Sequence, residues 1–231
     1  MNWARQLSII IPVASGDLSW RALLPDLEPL KSNSEILFAS TEELEMPQAW
    51  QGIPNVRVLH SKSGRAKQMN HAAIQATREV LWFLHSDSRF TPNTLSSLET
   101  TLRNSIQGVQ FFNLGFFEGP ALMAVNTFGV WIRSNILKLP FGDQGFLMSG
   151  KLFQKLGRFS ETAPYGEDHL LIWKAHEMGV PVKAVPGKML TSARKYSGQG
   201  WWATTQKHLI LTFMQGKQEL KRIVIKRRDK K

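Results

Sequence analysis

Apolar positions along the chain follow two rhythms. Leu7–Val13 is an almost unbroken apolar, β-rich run, the pattern of a strand buried on both faces of a parallel sheet. Pro12 is expected at its carboxyl end, because proline has no N–H to give to a central ladder. Residues 35–39, Val56–His60 and 80–84 repeat the strand pattern. Between them the rhythm is helical: residues 19–31, and then 66–77, where Ala66, Met69, Ala72, Ala73 and Ala76 share one face. Thr91 followed by Pro92 predicts a helix start, with the helix running to about residue 104. After residues 110–117 the pattern loosens into an apolar helix over 121–139, a helix over 167–178 stopped by Gly179, and a strand over 180–185. Strands alternating with helices predict an α/β fold with a mainly parallel central sheet flanked by helices. With no internal repeat and no Gly/Ser linker before residue 216, a single domain is expected.

Composition narrows the chemistry. None of the 231 residues is a cysteine, which excludes disulfide scaffolds, cysteine-ligated zinc, iron–sulfur clusters and thiol nucleophiles. The net charge is +11, unevenly spread. Residues 1–50 carry three basic and seven acidic side chains, whereas residues 217–231 carry eight basic and two acidic ones. That basic tail reads either as a solvated end or as an attachment to a polyanion. The first apolar run is too short for a signal-peptide core, and no uncharged stretch reaches the roughly 18 residues of a spanning helix. The expectation is a cytoplasmic protein, with residues 111–131 or the tail as routes to peripheral contact with the inner membrane face.

Ligands of open parallel sheets bind beyond the carboxyl ends of the strands. Three polar groups fall there: Ala14-Ser15-Gly16-Asp17, Ser61 to Lys67, and His85-Ser86-Asp87-Ser88. Ser63 to Lys67 joins a glycine turn and cations to a helix start, a chemistry suited to phosphate, although the P-loop spacing is absent. Asp87 reads as a turn cap or as the holder of a divalent cation completed by diphosphate oxygens and water. Glu167 and Asp168 suit the first turn of a helix through its dipole, and equally suit a general base.

In this order these residues resemble the family 2 glycosyltransferases of the GT-A fold, and within them the bacterial subgroup associated with radical-SAM/selenium-domain proteins. The resemblance runs from about Leu7 to Gly216. It rests on Gly64-Arg65-Ala66-Lys67-Gln68-Met69-Asn70, on Phe83 to Ser88, on Gly142-Asp143-Gln144-Gly145, on Glu167-Asp168, and on Thr191 to Tyr196. It implies transfer of a hexose-type sugar from a nucleotide-diphosphate donor to an acceptor hydroxyl, with inversion, assisted by Mg²⁺ or Mn²⁺. Asp87 matches the metal-binding aspartate of the D-x-D element, with His85 at its first place. Asp168 matches the base, with Glu167 beside it. Pro12, Asp17, Ser40, Gly64, Arg65, Lys67, Asn70, Ser86, Arg194 and Lys195 fall where the donor binds. Gly142, Asp143, Gln144, Trp201 and Trp202 mark the acceptor region. The implied organisation is a nucleotide-sugar half over 1–104, an acceptor and catalytic half over 105–216, and a tail over 217–231.

Two departures from the family pattern stand out. The Pro-x-x-Asn-Glu element reads Pro12-Val13-Ala14-Ser15-Gly16-Asp17, and Ser40 stands where the base-recognising aspartate is expected. They keep a second reading open, a weak or inactive nucleotide-sugar or polyanion-binding module on the same fold. The six histidines form no i, i+4 metal pair; His85 is expected near the site, and His169 and His176 on a helix surface, while His208 is one further candidate to approach the diphosphate. A specific nucleic-acid reader is the weakest option, since no reader motif is present. The acceptor stays open between lipid-linked and saccharide, as do sugar, base and oligomeric state.

Overall fold

The computed structural model describes residues 2–117, 123–191 and Gly216. Its strands are β1 (Leu7–Val13), β2 (Glu35–Ser40), β3 (Val56–His60), β4 (Val80–Phe83), β5 (Arg89–Phe90), β6 (Val109–Phe116), β7 (Leu147–Ser149) and β8 (Val182–Thr191). Its helices are α1 (Trp20–Leu27), α2 (Arg65–Gln75), α3 (Pro92–Arg103), α4 (Met123–Trp131), α5 (Gly150–Lys155) and α6 (Glu167–Glu177). The strands form one sheet ordered β3-β2-β1-β4-β7-β6-β8-β5. β3, β2, β1 and β4 are mutually parallel, as are β6 and β8, while β7 and β5 run against their neighbours. The mixed α/β fold with a mainly parallel sheet is therefore as the pattern predicts.

Every residue of β1 is buried, and its alternate side chains feed two cores. Leu7, Ile9, Ile11 and Val13 meet α1 and α3 through Trp20, Leu23 and Leu98. Ile10 meets the other face, with Met69 and Ala72 of α2, Phe153 of α5 and Ile172 of α6. Pro12 costs the ladder nothing. Leu84 N–H donates to Ile10 at 2.9 Å, and beyond that point β4 has ended on the edge that Pro12 presents. At the opposite, amino ends of the strands, Glu35 is buried. It accepts bonds from Ser8 Oγ (2.5 Å), Arg57 Nη2 (2.7 Å) and Thr77 N (2.8 Å). Burial raises its pKa, but these donors more than offset that and hold it below the ordinary value.

Elsewhere the elements differ from the pattern for local reasons. The helix expected over 19–31 stops at Leu27, because Pro29, just after the cap residue Glu28, has no N–H to continue the helical ladder. The helix expected over 121–139 ends at Trp131 and passes into a wider turn over Ile132–Ile136. There Ser134 Oγ reaches Gln144 (2.7 Å) and Asn135 reaches Asn113 (2.8 Å), so these polar side chains turn inward. The last strand does not stop at Val185. Its partner register jumps from Phe112↔Val185 to Asn113↔Lys188, so Pro186 and Gly187 are absorbed as a bulge and the strand continues to Thr191. β5, β7 and α5 are short additions that the pattern does not announce.

Candidate active site

The chain leaves β1 for β2 and β3 on one side, then crosses to β4 on the other. That switch opens a crevice at the carboxyl ends of β1 and β4. A cavity of about 420 Å³ lies there, lined from the β1 loop by Pro12, Ser15 and Asp17. Gly64, Arg65 and Gln68 enter from α2, and His85, Ser86 and Asp87 from the β4 loop. Asp17 organises the floor: Ser86 Oγ donates to its Oδ2 (2.5 Å), and Ser19 donates to its Oδ1 through both its backbone N–H (2.9 Å) and its hydroxyl. Gln68 bridges the ends of β1 and β2, donating to the carbonyls of Val13 (2.6 Å) and Ala39 (3.0 Å).

Arg65, at the start of α2, links this cavity to the second half of the chain. Its Nε donates to Glu167, its Nη1 lies 3.1 Å from His85 Nε2, and its Nη2 lies 3.7 Å from Asp168 Oδ2. Burial would lower its pKa, but Asp168 and Glu167 raise it above the ordinary value. Asp168, buried in the first turn of α6, lies directly behind this wall. Its Oδ2 accepts the Gly142 amide at 2.6 Å and its Oδ1 the His169 amide at 2.9 Å. Burial pushes its pKa up, yet Arg65, these amides and His85 together hold it below the ordinary carboxylate value. The result is an anchored, ionised carboxylate.

Gly142-Asp143-Gln144-Gly145 gains a local explanation. A Cβ on Gly142 would stand 2.8 Å from Asp168 Oδ2 and 3.1 Å from His85 Nε2, so only glycine lets the amide come this close. Gly145 is left-handed at φ +65, and a Cβ there would approach Trp82 Nε1 at 3.0 Å. Gln144 is buried and accepts from Ser134 and the Phe141 amide (3.1 Å) while donating to Phe112 O (3.0 Å). It is a clasp between loops. Asp143 keeps some surface as a residue, but its Oδ1 is shut from solvent without a hydrogen-bond partner among the described residues. Burial pushes its pKa up to about 6; Asp168 and Asp87 add to the rise, and Arg133 and Arg65 oppose it.

Of the donor-site residues expected from the sequence, Pro12, Asp17, Gly64, Arg65, Ser86 and Asp87 line the cavity. Ser40 does not: it is fully buried and its Oγ caps the Glu42 amide (3.2 Å), leaving Thr41 to face the cavity. Lys67 is exposed at the side of α2. Asn70 is turned to the other layer, where it exchanges bonds with the backbone of Phe159 (2.9 and 3.1 Å). Arg194, Lys195, Trp201, Trp202, His208 and the tail over 217–231 lie outside the described residues. His169 is not on the surface of α6; it is buried edge-on between Phe141 and Trp173. Phe111 and Phe112 are likewise core residues and not part of a membrane-facing stretch. Gln68 and Thr41 were not singled out from the sequence. For Gln68 the signal was a polar side chain one turn before Ala72, on the inward side of α2.

Among the described residues, no three histidine or acidic side chains converge as a metal cage. The carboxylates at the cavity are Asp87 and Asp17, the latter with its oxygens bonded to Ser19 and Ser86. This set fits a hard cation whose other ligands are diphosphate oxygens and water.

This architecture is the GT-A fold, with a crevice at the carboxyl ends of β1 and β4. Residues 40–148 match the family described as Glycosyl transferase family 2. Among solved structures, TarS 1-349 from S. aureus superposes with a TM-score of 0.59 at 18% identity, over 81% of this chain and 58% of that one. The same protein in complex with UDP-GlcNAc gives 0.57 at 19% identity, over 81% and 56%. The mannosyltransferase PcManGT from Pyrobaculum calidifontis, in complex with GDP-Man and Mn²⁺, gives 0.62 at 14%, over 92% of this chain and 64% of that one. The chain thus spans less than two thirds of the length of these solved structures. No curated protein matches it. The family match and the shared fold agree with the glycosyltransferase resemblance drawn from the motifs.

Proposed function

We propose that the chain is an inverting, metal-dependent glycosyltransferase of the hexosyl type, acting on a nucleotide-diphosphate sugar and an acceptor hydroxyl. The observation that carries this reading is Asp168: a carboxylate kept ionised by Arg65 and two backbone amides, directly behind a cavity at the carboxyl ends of β1 and β4. Asp168 takes the acceptor proton as the acceptor oxygen bonds to the anomeric carbon. The bond from that carbon to the diphosphate breaks, and the nucleoside diphosphate leaves with its electron pair. Arg65 stands between donor cavity and base and supplies positive charge on the leaving-group side, while Glu167 holds its fork in place. Asp87 would hold Mg²⁺ or Mn²⁺, which when bound neutralises charge on the diphosphate. The C-terminal Arg194 and Lys195 are assigned to the same phosphates by the motif resemblance. That resemblance also supports the radical-SAM/selenium-domain-associated subgroup.

The complexes of the structural neighbours with UDP-GlcNAc and with GDP-Man and Mn²⁺ support a nucleotide-sugar donor and a divalent ion. Ser40, spent on capping a turn, favours the alternative of a donor-binding module without turnover. Donor hydrolysis measured over a panel of nucleotide sugars with Mn²⁺ separates the two. Asp168→Asn is expected to keep the fold and donor binding and to lower turnover roughly 10²–10⁴-fold. Turnover at the wild-type rate by that variant ends the assignment of the base.

A further inference from the structure

α4 is turned inside out. Of its nine residues only Met123 is buried, while Val125, Phe128 and Trp131 recur at helical spacing on the outer side. Phe128 is 62% exposed and Trp131 44%, and their rings stack at 6.3 Å with planes 8° apart. The following turn continues the patch with Ile136 and Leu137, 61% and 59% exposed, and Phe117 at the end of β6 is exposed as well. A surface helix of a globular protein shows its polar side to water. An apolar stripe of this kind marks a contact surface.

We propose that this face seats the protein on the surface of an anionic lipid bilayer. Three observations select that occupant. Residues 123–139 contain no Asp or Glu, and the exposed Lys138 borders the patch. The chain carries a net +11, with eight basic residues in its last fifteen, which attract anionic headgroups. The stripe combines a tryptophan and a phenylalanine with aliphatic side chains over about three turns, the composition of a helix lying in the headgroup boundary. No helix among the described residues is long and apolar enough to cross a membrane, so the contact is with the surface. The turn that follows α4 is tied to the site by short links: Asn135 to Asn113 of β6, and Ser134 to Gln144, two residues from the amide that holds Asp168.

The inference stands apart from the glycosyltransferase reading, and its test reads membrane partition. The full chain is floated with vesicles of phosphatidylcholine alone, or with phosphatidylglycerol added to about one third. The wild-type protein is expected to float with the anionic vesicles, less so in high salt. Phe128→Ser/Trp131→Ser is expected to lower partition at least about tenfold, with donor hydrolysis unchanged. Val125→Ser/Ile136→Ser, tested in parallel, should lower it as well and guards against a misfolded first variant. Three results overturn the proposal: a wild-type chain that ignores both vesicles, variants that partition as the wild type does, or a wild-type dimer that the substitutions turn into monomers without any vesicle binding. The last assigns the face to a second copy of the chain. Donor hydrolysis, followed in the same samples without vesicles, reports on the catalytic reading alone.

Discussion

Asp143 and Asp168 sit in one loop cluster and titrate in opposite directions. Both are deprived of water, but Asp168 receives two amides and the Arg65 guanidinium, whereas Asp143 has an oxygen with no donor. The sign of the consequence follows from linkage. With a folded pKa of about 6 against an ordinary 3.8, Asp143 keeps its proton in the folded chain where the unfolded chain has released it. Its contribution to stability is present below about pH 4 and is lost as pH rises through about 6. Asp143→Asn should therefore match the wild type at pH 4 and exceed it at pH 8, by on the order of 1–3 kcal/mol. Thermal melts across that range in a chelating buffer check this. A higher melting point for the wild type at pH 8 would contradict the assigned direction.

At the scale of elements, α3 and β8 show where the fold is pinned. Thr94 is fully buried; its hydroxyl donates to Lys188 O at 2.7 Å and accepts the Thr91 amide at 3.3 Å. Thr94→Val keeps the shape and strands both backbone groups, so urea unfolding should register a loss of about 1–3 kcal/mol. The start of α3 was legible beforehand because Thr91-Pro92 is a local signal, and β1 because an apolar run needs no partner to be recognised. The bulge in β8 was not. Pro186-Gly187 reads as a strand end, and only pairing with β6 and the space beside Thr94 make it a continuation. The same limit applies to the site. Asp17, Arg65, Ser86 and Asp87 line the crevice because they sit at strand ends, where the sheet topology holds them. Side-chain direction decided the rest: Asn70 faces Phe159, and Ser40 spends its hydroxyl on its own turn.

Taken whole, the molecule divides its work between the two ends of the sheet. Around Glu35 the amino ends are cross-linked and closed, while the carboxyl ends open into the cavity. The apolar stripe on α4 gives the surface a direction as well, which the vesicle experiment reads. One contact has a bearing on how the protein comes into being. The bond from Arg65 to Glu167 joins positions 102 residues apart, across the full set of strands between β3 and β8. Such long-range closures form after the local ones, because the entropy of the intervening loop must be overcome first. A chain still emerging from the ribosome, or one halted with only its first four strands paired, therefore has the carboxyl ends of β1 and β4 but lacks the contact that sets Arg65 beside Glu167 and Asp168. In refolding, donor hydrolysis should return later than the far-ultraviolet signal of the helices. The crevice wall is then completed late in folding, and a chain caught before that step holds its charged groups apart.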